Sequence, residues 1–156
     1  MIKARYIVLY SIIVVTCLLI CILFFDFDKN KELTKPDKII VFYNDSIIEV
    51  KNDSKQFDTI YDLTVKRIKS SSFFGETAIE SEILEKIKKE IAIEFVYFNT
   101  IEYRHDSIKR EFNKLFISLG SEYNDYIIFY NNRYQSSPLE NLKKPDELKK
   151  YVLDNI

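Results

Sequence analysis

From Ile7 to Phe25 the chain reads IVLYSIIVVTCLLICILFF, nineteen residues without a charge, and any fold must keep that run out of water. As a helix rising ~1.5 Å per residue it would be roughly 28 Å long, close to the ~30 Å hydrocarbon thickness of a bilayer. A removable secretory signal has a shorter apolar core, of about 7 to 15 residues, followed by small residues at the cleavage point. Here the run ends Phe24-Phe25-Asp26-Phe27-Asp28, with no such site. Lipidation at a cysteine would need a small residue directly before it, but Thr16 precedes Cys17 and Ile20 precedes Cys21. The run is therefore expected to be a retained transmembrane helix over residues 7–25. The two cysteines, four apart on one helix face, read as small hydrophobes that help helices pack.

Orientation follows from the flanks. Lys3, Arg5 and the amino terminus sit hard against the span, while Lys29, Lys31, Lys35 and Lys38 lie on the other side. Counting alone does not decide. A long following domain translocates largely regardless of charge, which favours residues 1–6 as a cytoplasmic tail and an extracytoplasmic carboxy-terminal part. The segment 26–38, DFDKNKELTKPDK, is polar, charged and carries one proline, as a short tether would.

Residues 39–156 fit one ordinary domain. Both cysteines lie in the span, so neither a disulfide framework nor a thiolate metal site can stabilise this part, and a packed core must. Setting aside Lys3 and Arg5 from the 23 basic residues leaves 21 against 24 acidic ones. That near-balance argues against nucleic acid, which requires a clustered basic face. With only Gly75 and Gly120 in the chain, glycine-rich phosphate loops are excluded.

Period changes along the domain predict an α+β fold. Lys38 to Tyr43 and Ile47 to Val50, separated by Asn44-Asp45-Ser46, form a hairpin pattern. Asn52-Asp53-Ser54 supplies a helix start, with Asp53 and Gln56 at capping-box spacing. Phe57, Ile60, Tyr61, Thr64 and Ile68 recur at helical intervals, and Ser70-Ser71-Ser72 ends the pattern. Ile79, Ile83, Leu84 and Ile87 mark a second amphipathic helix, with Glu80, Glu85, Lys88 and Lys89 on its solvated side. Ile91 to Phe98 switches to strand period. Strands are expected around Ile101 to Arg104 and Phe112 to Leu119, although Ile108, Phe112, Leu115 and Phe116 also fit helical spacing. Gly120 to Asp125 turns into a strand from Tyr126 to Tyr130, and Asn131-Asn132 turns again. Pro145-Asp146-Glu147 starts a last helix that buries Leu148, Tyr151 and Val152. The expected domain is a mostly antiparallel sheet covered by two or three helices, all on one face. Tyr43-Asn44-Asp45 and Tyr123-Asn124-Asp125 echo each other, as two hairpins with the same turn chemistry would.

Residues able to do chemistry are sparse. His105, the only histidine, lies in Glu102-Tyr103-Arg104-His105-Asp106, and such a residue in a charged loop reads as surface. No nucleophile motif stands beside it. There is neither G-x-S-x-G nor H-E-x-x-H. The carboxylates select no pair: Asp53 reads as a cap and Glu94 as the polar face of a strand. No cofactor is expected, and no enzyme. Aromatics say more. Tyr123, Tyr126, Tyr130 and Tyr134 crowd together with Arg133, and tyrosine and arginine are enriched where proteins meet partners. These five form the candidate partner surface, with Phe129 packing inward and Gln135-Ser136-Ser137-Pro138 as a following loop.

With its short amino-terminal anchor, a cysteine-free domain rich in Lys, Ile and Asn, and runs such as KLFISL, YIIFY and SSPLENL, the chain resembles the small uncharacterised single-pass membrane-anchored proteins of low-GC Gram-positive bacteria. The resemblance carries over no catalytic residues. It implies no known activity; the residues themselves lead to the expectation of a membrane-anchored extracytoplasmic domain that acts through protein contact, as an envelope accessory, sensor or immunity-type factor. The alternative is an extracytoplasmic small-ligand-binding or hydrolytic domain.

Overall fold

The computed structural model describes residues 14–16, 33–69, 71–73, 77–105, 108–124, 126–140 and 142–156. The chain divides into two compact units, Met1–Lys31 and Glu32–Ile156. In the first, residues 14–16 are helical. The rest of the expected span 7–25, the tail 1–6 and the tether up to residue 32 lie outside the described residues. No helix among the described residues is long and apolar enough to cross a membrane.

In the second unit the sheet starts at a two-residue turn. Asn44 and Asp45 both take positive φ, 47° and 61°, the left-handed pair a type I′ hairpin turn requires and that Asn and Asp tolerate. The turn joins β1 (Lys38–Tyr43) to β2 (Ser46–Val50). Helix α1 (Lys55–Ile68) follows, capped by Ser54, whose Oγ accepts from the Phe57 N–H at 3.2 Å. The cap is thus Ser54 rather than the expected Asp53. Two short strands, β3 (Ser72–Phe73) and β4 (Thr77–Ala78), precede helix α2 (Ser81–Glu90), which passes without a loop into β5 (Ile91–His105). Next come β6 (Ile108–Ser118), β7 (Tyr126–Asn131), β8 (Arg133–Glu140) and helix α3 (Asp146–Asn155).

All pairings among the described residues are antiparallel, in the order β2-β1-β5-β6-β7-β8, with β3 and β4 both against the outer edge of β8. The ambiguous stretch from Ile101 to Leu119 is a long hairpin, broken by a bulge after Val96 that leaves Tyr97 to Thr100 without register partners before Ile101 meets Phe112. The β7–β8 hairpin turns at Asn132, whose φ is 65°. Residues Gln135 to Pro138, expected as a loop, lie within β8. Ser and Pro disguise this strand, and its pairing to β7 supplies the stability that composition does not advertise. The echo between the two Tyr-Asn-Asp segments is not structural, since Tyr123 itself takes the positive φ, 58°, in the second.

The sheet is covered on both faces, which corrects the expectation of a single covered face. Odd-numbered side chains of β1, β5 and β7, among them Ile39, Val41, Ile93, Phe95 and Ile127, pack under α1 and α3 through Phe57, Ile60, Ile68, Leu148 and Val152. Even-numbered ones, Phe42, Ala92 and Ile128, together with Phe116 of β6, pack under Leu84 and Ile87 of α2. Leu33 is also buried in the larger core, and Tyr97 donates from its hydroxyl to the Thr34 carbonyl at 2.9 Å. Packing of the domain therefore begins inside the expected tether.

Thr64 lies on the buried face of α1 with its hydroxyl oxygen unpartnered. An unsatisfied buried hydroxyl costs about 1–3 kcal/mol. Thr64→Val, equal in shape, is expected to raise the unfolding free energy by about 1 kcal/mol in urea titration, and a loss of similar size would show that the hydroxyl has a partner after all.

Candidate functional site

Alternation and register lay the α2 face out in rows across the sheet. One row runs Ile40, Glu94, Phe116, Ile128 and Ser136, each opposite the next. The neighbouring row runs Lys38, Val96, Lys114, Tyr130 and Tyr134. Helix α2 packs on Phe42, Ala92, Phe116 and Ile128, and all five side chains of the second row are half-exposed. The result is a strip of sheet beyond the helix, in which Val96 separates two lysines and the Tyr130 and Tyr134 rings follow Lys114.

Glu94 lies beneath this strip. It was expected on a polar strand face, yet it is only 4% exposed, because α2 and the tyrosines cover what a one-sided sheet would have left open. The Tyr134 hydroxyl donates to its Oε1 at 3.1 Å, and Lys114 Nζ stands 3.9 Å from the same oxygen. Lys114 also lies over the Tyr130 ring, 5.4 Å from its centroid, and the Tyr130 and Tyr134 rings are 4.7 Å apart at 54°. A carboxyl group removed from water needs such hydrogen-bonding partners.

The five candidates from the sequence do not form one patch. Tyr130 and Tyr134 belong to the strip. Tyr123 and Tyr126 make a separate edge-to-face pair, 6.0 Å between centroids, with the Ile128 row between Tyr126 and Tyr130. Arg133 is exposed at the β7–β8 turn and by alternation faces the opposite side from Tyr134. Lys38, Val96, Lys114 and Glu94 are the members that sequence reasoning missed. The backbone of His105 ends β5 opposite Ile108, and its side chain lies outside the described residues.

Burial holds the Tyr134 proton well above the ordinary tyrosine range, and the Glu94 carboxylate adds to the effect by opposing a phenolate beside it. Tyr97 is raised as well, again chiefly by burial. In the unfolded chain tyrosine titrates near pH ~10. Folded-state values above that mean the stabilisation is complete below pH ~10 and is lost as pH rises through the folded values. Tyr134→Phe is accordingly expected to lose less stability than the parent between pH ~9 and ~11, followed by urea midpoints. Parallel declines in the two proteins would contradict the placement of this hydroxyl.

Chemically, the strip offers aromatic, cationic and hydroxyl groups for recognition. Tyr134 keeps its proton at neutral pH, and Lys114 is engaged with the Tyr130 ring and the Glu94 carboxylate. Elsewhere, an open cleft of about 350 Å³ is lined by Lys109, Arg110, Glu111, Phe129, Asn131 and Gln135, where Lys109 and Glu111 pair with each other at 2.9 Å. Among the described residues no three His, Cys, Asp or Glu side chains are grouped to hold a metal ion. No family model, curated protein or solved structure matches the chain.

Proposed function

We propose that the protein is a membrane-tethered, extracytoplasmic domain that works by protein contact through the strip Lys38, Val96, Lys114, Tyr130 and Tyr134. The observation that carries the contact reading is the half-exposed state of that whole row, with paired tyrosine rings above a buried Glu94. Tyrosines that are partly packed already lose little freedom on binding, and their rings offer large contact area with a polar end. The tether reading rests on the uncharged run 7–25 of the sequence.

The test is photocrosslinking in whole membranes. With a benzophenone amino acid in place of Tyr130, the full chain is expected to give a discrete protein adduct that disappears when Lys114→Ala and Tyr134→Ala are added. The same probe in place of Lys150, exposed on α3, should give none. Equal adducts from both positions, or none from Tyr130, would overturn the assignment of the strip.

A further inference from the structure

The two long edges of the sheet are not alike. On β8, Gln135 and Ser136 are paired by β4, and Leu139 and Glu140 by β3. On the other edge, β2 pairs only with β1 among the described residues. An open edge strand displays backbone donors and acceptors that another strand can use, and proteins normally blunt it with proline, a bulge or inward-pointing charge. Residues Ser46 to Val50 contain no proline, and their register with β1 is unbroken.

Which groups point outward follows from the turn. In a two-residue hairpin the residues flanking the turn exchange both backbone hydrogen bonds, so Tyr43 and Ser46 are a bonded pair. By alternation Val41 with Ile48 and Ile39 with Val50 are bonded pairs too. The N–H and C=O groups of Ile47 and Glu49 are left pointing away from β1. Ile47 is in addition 71% exposed, the largest exposure of an aliphatic side chain in the domain's exposed set.

We infer that β2 pairs with β2 of a second copy of this chain, antiparallel about a two-fold axis at Ile48. That axis sets Ile47 of each copy opposite Glu49 of the other, which uses every outward backbone group of both residues in four hydrogen bonds. Ile48 then meets its own copy on the α1 face. Charge selects this register. Centred on Ile48, Asp45 in the turn before β2 of each copy comes beside Lys51 just after β2 of the other. Centred on Ile47, Asp45 would face Glu49, and centred on Glu49, two Glu49 carboxylates would face each other. Like charges directly opposite are destabilising, and opposite charges contribute. The joined sheet keeps α1 and α3 of both copies on one side and both α2 helices on the other, because a two-fold normal to the sheet does not exchange its faces.

The test uses full-length chains carrying Cys17→Ser and Cys21→Ser, with Ile47→Cys in one and Glu49→Cys in a second, differently tagged chain. Both positions are exposed, so neither change touches the core. Residues in a bonded cross-strand pair have Cα atoms ~5.5 Å apart, within disulfide reach, whereas Ile47 would lie roughly 9 Å from Ile47 of the other copy, beyond it. On mild oxidation with diamide in membranes, the co-expressed chains are expected to form the mixed disulfide dimer, and each chain alone is expected to remain monomeric on the gel. Lys51→Glu in both chains should reduce the mixed dimer several-fold, and Asp45→Asn added to it should restore part of the yield. Thermal melts by circular dichroism confirm that each variant is folded. Absence of the mixed dimer, homotypic dimers in equal yield, or indifference to Lys51→Glu would each overturn the pairing.

Discussion

Phe112→Ala is expected to destabilise the domain by roughly 3–5 kcal/mol, the range for deleting a buried phenylalanine ring. Phe112 is fully buried where the long β5–β6 hairpin resumes its register after the bulge. Its ring lies 4.9 Å from Phe129 and 5.9 Å from Tyr97, so one side chain links the bulged strand, its partner and β7. Tyr97 in turn holds the chain at Thr34. The bulge makes this position hard to refill, since the strand cannot shift to close a cavity without losing its pairing from Ile101 to His105. Denaturant unfolding of the variant is the check, and a cost below about 1 kcal/mol would mean that the hairpin does not depend on this ring.

Arg67→Met is expected to cost on the order of 3 kcal/mol, as loss of hydrogen bonds from a charged donor does. Arg67 is 4% exposed at the end of α1. Its Nε donates to the Lys143 carbonyl at 2.9 Å and its Nη2 donates to the Asn124 carbonyl. One guanidinium thereby fastens the segment leading into α3 and the turn between β6 and β7 to the same helix end. A methionine fills the volume but leaves both carbonyls without that donor. The loss should also be uneven: amide exchange is expected to rise first in Leu142–Tyr151 and Leu119–Asn124, before the strands open. Uniform acceleration throughout the domain would contradict this role.

Strand and helix existence was legible where one period dominated, as in Phe57 to Ile68 and in Tyr126 to Tyr130. The placing of α2 was not, because an amphipathic helix announces an apolar side without announcing which face of a sheet it covers. A signal was nevertheless present. Leu115-Phe116-Ile117 and Ile127-Ile128-Phe129 are continuous apolar runs, the mark of strands buried on both faces. Read that way, Glu94 between Ile93 and Phe95 could not be a solvated strand residue. Its partner Tyr134 lies 40 positions away, a distance that only the sheet order closes. The β8 strand was missed because Gln135-Ser136-Ser137-Pro138 has turn composition and owes its conformation to pairing. Of the strip, Tyr130 and Tyr134 could be picked out by residue type, whereas Lys38, Val96 and Lys114 are neighbours through register alone.

We propose that this domain is displayed outside the membrane, with residues 7–25 as its anchor. Labelling tests it directly: Asp53→Cys, at an exposed position before α1, in the full chain with Cys17→Ser and Cys21→Ser, treated in intact cells with a membrane-impermeant maleimide. Labelling of intact cells is the predicted result. Labelling only after lysis would place the domain in the cytoplasm and contradict the claim.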